Sequence, residues 1–558
     1  MNVGSKDFRV VFVNLKTGTP CYFAGLDFTL EHIGIGYLTS TLRKNVYDAA
    51  IIDAATEDLS EKEVVQRVLG FSPAMVGFSP TIATMESTIR VCGLLKKVDR
   101  VIHICLGGHH ATFLAEELLL KEPCFDSVIR GEGELTIMDL AHRLSLELPL
   151  AGASGVYFRD RDGNICKNPG RDKVKDLDSI PFPARDTLKW QVQEKKSRTA
   201  RVITSRGCAA KCSFCSIPPF ERLQDGRLWR ARSPENILAE LTSLKEEFGV
   251  KTILFAEDNF IGPGKAGRER VRQIAEGMIN RRLGLRFRIL TTAESLINCE
   301  HLLPLLKKAG LDRVIVGIES ASPSALEVFN KRTTLGQNYR VVRMLAQHNI
   351  VLHLGFMMFH PYASFDDLRL NAEFLKDIDQ ACFFQYFSNR MELYPGVAIL
   401  KKLKEEGMIL SKSDYKRGFL YRYAEPRMEK LARGLSPVRR KMVDVDRSLM
   451  NIDIWLSHNN GEGSEGSNSS FINDYTELRK EFSSKNMGFF LRSVELAESG
   501  WNSEAFEGLK GEYFGDVEEL GDTLRLMVES SGELLEYFGL TSENIVSATK
   551  EVQGRKVG

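Results

Sequence analysis

Three cysteines, Cys208, Cys212 and Cys215, stand in the stretch RGCAAKCSFCSIPPF with C-x3-C-x2-C spacing. On a helix this spacing would gather the thiols on one face as a small apolar stripe. Gly207 before them, Pro218 and Pro219 after them, and Lys211 and Ser213 between them suit a buried helix face badly. A structural zinc takes four closed ligands, usually as pairs of Cys or His. No further Cys or His lies between Cys166 and Cys299. An iron–sulfur cubane takes four thiolates. With three local thiols, one iron would keep an open position for a substrate or cofactor, as catalytic metal sites do. The isolated Cys105, Cys299 and Cys382 lie on or near apolar runs and read as core.

Two stretches of alternating strand and helix patterns are available to position these groups. Between Phe8 and Leu144, short apolar runs (FRVVFVNL, DAAIIDA, AMVGFSP, VIHICLGG, FDSVI) alternate with amphipathic helix patterns. This layout predicts an open parallel sheet covered on both faces, with ligands beyond the carboxyl ends of its strands. From Arg201 a second series begins: RVITSRG, TILFAEDN, RFRILTTAE, RVIVGIES, VLHLGFMMF and FFQYFSN, each followed by a helix pattern. Six such units predict a partial barrel with its chemistry at the strand carboxyl ends. The fold class expected is therefore α/β. A Rossmann-like open parallel sheet (1–150) leads through a connector (151–198) to a partial (β/α)6 barrel (199–400) and a mostly helical region (401–558). The connector contains a hairpin with an Asp162-Gly163 turn. A Gly/Ser-rich loop is expected at 459–470.

The cysteine motif at the end of the first strand of a βα barrel resembles that of the radical S-adenosylmethionine (SAM) enzymes. The resemblance covers about 205–396. It implies that Cys208, Cys212 and Cys215 ligate a [4Fe–4S] cluster whose open iron binds SAM, which is cleaved to a 5′-deoxyadenosyl radical. By motif, Phe214 falls beside the adenine. FAEDNF places Glu257 and Asp258 in the motif whose backbone meets the SAM amino group in the family, although the usual Gly-Gly form is absent. VGIESAS places Glu319 and Ser320 near the ribose or carboxylate. Solvated-loop, packing and helix-capping roles remain alternatives for these five residues. Met357 and Met358 read as barrel core.

The preceding sheet resembles the cobalamin-binding domain of one subgroup of that family, many of whose members are C-methyltransferases. Ser79 and Thr81 in VGFSPTIAT, Gly107 and Gly108 in LGGHHAT, and Gly131 and Glu132 in RGEGE match its three cobalamin-facing loops. The D-x-H-x-x-G signature that supplies a histidine to cobalt is absent. His109 and His110 read as loop or nucleotide-contact residues rather than cobalt ligands, and His32 lacks the matching Asp.

The resemblance implies methylation of an unactivated carbon of a small molecule through methylcobalamin. The alternatives are a non-methylating cyclisation, rearrangement or ring contraction, and a sensor without turnover. It also implies an electron donor such as a flavodoxin or ferredoxin. Lys and Arg number 75 and Asp and Glu 74, which leaves no electrostatic footprint for nucleic acid. No apolar run is long enough to span a membrane, no signal-peptide layout is present, and the ten cysteines are mostly scattered. These features predict a cytoplasmic protein.

Overall fold

The computed structural model describes residues 7–17, 30–194, 196–410, 414–416, 418–459, 469–532 and 534. Most of the expected Gly/Ser-rich loop lies outside the described residues.

The first sheet contains β1 (Arg9–Asn14), β2 (Asp48–Asp53), β3 (Met75–Phe78), β4 (His103–Leu106), β5 (Ser127–Ile129), β6 (Val156–Arg159) and β7 (Ile165–Lys167). Their order is β2-β1-β3-β4-β5-β6-β7, and β1 to β5 run parallel. Helices cover both faces, and the alternation of side chains along each strand divides the core accordingly. Val11, Val13, Val76 and Ile104 pack on one side, and Val10, Phe12, Met75 and Cys105 on the other. The hairpin expected within the connector is β6–β7, and it extends this sheet antiparallel to β5. Its turn is held by the Asp160 carboxylate, which accepts from the N–H groups of Asp162 (3.0 Å) and Asn164 (2.8 Å).

The barrel strands are β8 (Thr199–Val202), β11 (Thr252–Phe255), β12 (Arg286–Thr292), β13 (Leu311–Glu319) and β14 (Val351–Phe356), parallel and in sequential order. Between β8 and β11, the short strands β9 (Ser205–Arg206) and β10 (Arg230–Ala231) pair antiparallel at the mouth. The sixth strand expected from FFQYFSN does not form a ladder. Residues Gln385–Ser388 are helical, and the sixth position is reduced to one parallel bridge between Phe359 and Arg390. The reason lies in the C-terminal helices. The Asp446 carboxylate accepts from the N–H groups of Phe384 and Gln385, both at 2.9 Å. Phe384 and Phe387 stack against Tyr513 and Phe490, with ring centroids at 5.6 and 4.9 Å. Backbone donors and aromatic faces that a strand would have used are taken by another element.

Those helices, Arg427–Asn459, Ser469–Ser499 and Ser503–Ser530, therefore pack beside the barrel and complete its core. Asn486 pins them by donating to the Ala381 (3.0 Å) and Cys382 (2.8 Å) carbonyls while accepting from the Tyr513 hydroxyl (2.7 Å). No described helix is long and apolar enough to cross a membrane.

Candidate active site between two sheets

The three cysteines occupy the loop between β9 and the helix Ile217–Glu221. Gly207 opens it at φ +84°, where an added Cβ would overlap the Leu228 carbonyl. Only glycine combines that φ with that approach. Farther along, the Ser213 N–H donates to the Phe329 carbonyl at 2.9 Å, and its hydroxyl donates to that of Val328 at 2.6 Å. On the other side, the Ile399 N–H donates to the Ser213 carbonyl at 2.9 Å. Burial pushes all three thiols up, Cys215 to about 12, and each lies within electrostatic reach of another. A site that disfavours free thiolates but gathers three of them suits a cationic centre that deprotonates its ligands. Among the described residues no three His, Cys, Asp or Glu side chains converge tightly enough for a single metal ion. A cubane seats each thiolate on a different iron, so its ligands stand wider apart, and three thiols without a fourth leave one iron open.

Around this loop the barrel mouth gathers part of the expected set. Asp258 is exposed at the barrel mouth, with protein packed closely around it. Burial and then the charge of Glu221 raise its carboxyl to about 6. Glu319 ends β13 at φ +68°, where the register with β14 shifts, and this turns its carboxylate back over Gly317. There it meets Lys331 at 3.1 Å, and Lys331 also donates to the Gly317 carbonyl at 2.9 Å. Burial opposes the Lys331 charge, but Glu319, Cys212 and Cys208 outweigh it and hold the ammonium above the ordinary lysine value. Phe214 is half-buried, edge-on to Phe329 at 5.5 Å.

Two of the expected residues turn their side chains to other partners. Glu257 is buried, bonded by the Thr204 hydroxyl and facing Arg270, and burial lifts it to about 7. Ser320 is fully buried and donates to Asn371 at 2.8 Å, so it organises the turn after β13. No motif marks Lys331. It follows a short helix in an unremarkable polar run, and only folding sets it beside Glu319.

The cobalamin-type loops lie together at the carboxyl ends of β3, β4 and β5. Ser79 lies under Gly108, whose φ is +81° and whose added Cβ would stand 2.6 Å from the Ser79 hydroxyl. Gly108 is thus held by its φ and by its approach to Ser79, whereas an added Cβ on Gly107 would meet only Ile129, at 3.9 Å, so that Gly107 leaves bare backbone at the strand end, which fits close approach of a cofactor tail. Thr81 is exposed in a turn closed by the Thr84 hydroxyl, which accepts from its N–H at 2.9 Å. The Gly131 N–H donates to Thr112 at 3.2 Å. Glu132 turns away from this strand end. Its carboxylate holds Arg230 and the Val174 N–H (3.1 Å), while its own N–H donates to Gln224 at 2.9 Å. Beside it Arg206 pairs with Glu134 at 2.6 Å. Glu132 therefore joins the sheet to the barrel.

His110 is buried with a ring nitrogen 2.9 Å from the Tyr415 carbonyl, and His32 caps the helix Ile33–Lys44. His109 instead is exposed. Its ring lies 3.9 Å from that of Phe220, in the helix that follows Cys215, and burial lowers its pKa to about 4.

Comparison with known proteins agrees with this architecture. Residues 202–375 match the radical SAM superfamily, and residues 21–141 match the B12 binding domain. The chain is 32% identical over 356 residues to an uncharacterised methyltransferase of Pyrococcus horikoshii, covering 63% of this chain and 74% of that protein. It is 30% identical over 334 residues to the anaerobic magnesium-protoporphyrin IX monomethyl ester cyclase of Rubrivivax gelatinosus, covering 58% of each. Among solved structures, the cobalamin-dependent S-adenosylmethionine radical enzyme OxsB with aqua-cobalamin bound superposes with a TM-score of 0.74 at 19% identity. That superposition covers 98% of this chain and 84% of OxsB, and it shows a shared fold. The chain belongs to the radical SAM superfamily, as a cobalamin-dependent enzyme whose cofactors are a [4Fe–4S] cluster, SAM and cobalamin.

Proposed function

We propose that this enzyme methylates an unactivated carbon of a small molecule. The observation that carries this reading is the junction of the two cofactor regions: His109, next to Gly107 and Gly108, packs tilted against Phe220, just past Cys215. One substrate carbon between them would lie within reach of both. Bound together, the cluster and SAM supply a hydrogen-abstracting radical, and cobalamin supplies the methyl group. The thiolates of Cys208, Cys212 and Cys215 hold the cluster. Asp258 and Glu319 present carboxylates to the SAM amino and hydroxyl groups, and Phe214 flanks the adenine. Ser79, Thr81, Gly107, Gly108 and Gly131 line the path of the cobalamin tail. Buried Phe220 and half-buried Phe113 keep water from the space between. In this reading residues 1–150 bear cobalamin, 199–400 bear the cluster and SAM, and 401–558 brace the barrel. An electron donor such as a flavodoxin or ferredoxin completes it, in a reducing cytoplasm that suits the free thiols.

The methyltransferase of Pyrococcus supports methyl transfer. The Rubrivivax cyclase supports a second reading, oxidative cyclisation at the same centre. To separate them, the anaerobically reconstituted chain is given methyl-deuterated SAM, a reductant and a metabolite extract. Methyl transfer predicts a labelled product with S-adenosylhomocysteine and 5′-deoxyadenosine in equal amounts. 5′-Deoxyadenosine formed without S-adenosylhomocysteine would sink methylation in favour of cyclisation.

A further inference from the structure

The inner face of the barrel sheet is not filled by side chains. The Cβ directions of Gly317 and Gly355 and the Glu319 carboxylate mark that face. Strand alternation and register add Arg313 and Ile315 on β13, Arg288 and Leu290 on β12, and His353 on β14. Their outward neighbours Phe287, Ile289, Val314, Val316 and Leu354 are no more than 1% exposed. On the inner face Arg288, Leu290, Ile315, Gly317 and Gly355 all keep accessible surface. A closed barrel would fill this space with stacked side chains.

Charge accumulates at the lower end of the face. Leu254 pairs with both Arg201 and Arg288, and Arg288 pairs with Arg313, so three guanidinium side chains start from one level of the sheet. Arg201 donates to the Glu31 carbonyl at 3.3 Å. Among the described residues Arg288 has no ion-pair partner, and its buried Nε has no hydrogen bond. His353 pairs with Ile315, just above Arg313, and is 1% exposed. Neither of its ring nitrogens has a hydrogen-bond partner. Burial, and then the charges of Arg313 and Arg288, lower its pKa to about 3 and keep the ring neutral. The acids around this level are engaged by other groups. Glu319, at the far end of β13, pairs with Lys331. Asp312, at the bulge of β13, lies within electrostatic reach of Lys307 in the helix Leu303–Ala309. Asp446 accepts from the N–H groups of Phe384 and Gln385.

Like charges side by side on a sheet destabilise it, and a buried polar group without a partner costs more. An oxyanion removes both costs, because guanidinium and imidazole N–H groups would all donate to it. Above this level Leu290 and Ile315 offer apolar surface, and the bare Gly317 and Gly355 leave room. The rise from Arg313 to Gly317 is roughly 13 Å at about 3.3 Å per residue. We propose that Arg288, Arg313 and His353 seat the anionic end of the substrate, a carboxylate or a phosphate, and that the apolar wall above them takes its body. The inference rests on the methyl-transfer reading and deepens it by naming the substrate class: an elongated small molecule with an apolar middle and one anionic end, whose reacting carbon stays at the barrel mouth.

The test is isothermal titration of the reconstituted chain with decanoate, decyl phosphate, decanol and inorganic phosphate, each below its micellar concentration, for wild type, R288M and R288K. Wild type is expected to bind one of the two anionic decyl probes at least about tenfold more tightly than decanol, and which one identifies the anion. R288M should abolish that preference and leave decanol binding unchanged, while R288K should keep most of it. Without ligand R288M should melt no lower than wild type, since it relieves a like-charge contact. Decanol bound as tightly as the anions, no decyl probe bound at all, or a preference that survives in R288M would overturn the site. Inorganic phosphate bound as tightly as decyl phosphate would overturn the apolar half, and an unliganded R288M that melts lower would make Arg288 a structural residue. Binding is read without turnover. Anion preference in a chain that forms no methylated product would therefore uphold the site and overturn methylation, and the reverse result would overturn the site alone.

Discussion

Replacement of Glu132 by Gln tests whether the two cofactor regions are held in register by a buried ion pair. The Glu132 and Arg230 side chains are 8% and 5% exposed, and Arg230 donates to both carboxylate oxygens. The amide removes the charge but keeps the size, so Arg230 stays buried without its main counter-ion. Breaking one partner of a buried pair typically costs about 3–5 kcal/mol. Glu221, 3.7 Å from Arg230, and the Val174 carbonyl, 2.6 Å from it, remain as partial partners and place the expectation at the lower end. A loss of about 3 kcal/mol is roughly a hundredfold in the local equilibrium. Because a chain of this size need not unfold in two states, amide hydrogen exchange around β5, β10 and residues 170–176 is the suitable assay. The double variant E132Q/R230M removes both charges and should recover most of the loss. Burial alone would raise the Glu132 pKa, but the bond and charge of Arg230 and the charge of Arg206 hold it below the ordinary 4.5. Its folded pKa is depressed, so its stabilisation is complete above pH 4.5 and disappears as pH falls below that value through the folded pKa. The wild-type advantage over E132Q should therefore be constant from neutral pH to about 5 and shrink below it. An E132Q effect under about 0.5 kcal/mol, or a double variant worse than the single, would refute this role.

Three further outcomes are expected. Cys208→Ala, Cys212→Ala and Cys215→Ala should each reduce bound iron to background and abolish 5′-deoxyadenosine formation, with far-UV circular dichroism unchanged; iron retained in any one would remove that residue from the ligand set. Gly207→Ala forces a Cβ toward the Leu228 carbonyl at φ +84°, so the loop should lose more than about 1 kcal/mol and release iron faster to a chelator. Gly108→Ala puts a Cβ 2.6 Å from the Ser79 hydroxyl at φ +81°, and should weaken cobalamin binding by at least about tenfold in equilibrium dialysis without changing the iron content.

Much of this was legible in the chain. Apolar runs such as RVVFVN and LDRVIVGIE are buried on both faces, and that demand is written in composition, so the two parallel sheets could be read from it. The C-x3-C-x2-C spacing is local, and it places three thiols in one loop whatever surrounds them. FFQYFSN has an aromatic pattern that suits a strand, yet Asp446, Phe490 and Tyr513, far along the chain, claim its donors and faces. Glu132, Glu257 and Ser320 sit in motifs that name a position but not a direction. Which way each side chain turns is decided by distant partners, Arg230, Thr204 and Asn371, whose pairing carries no periodic signal. Lys331 beside Glu319 and His109 over Phe220 are products of packing for the same reason. The sequence alone determined the fold class and the thiol loop, because both depend on neighbours along the chain. Only the tertiary structure decided what faces the space between the two sheets, because burial and charge pairing there join residues far apart in sequence.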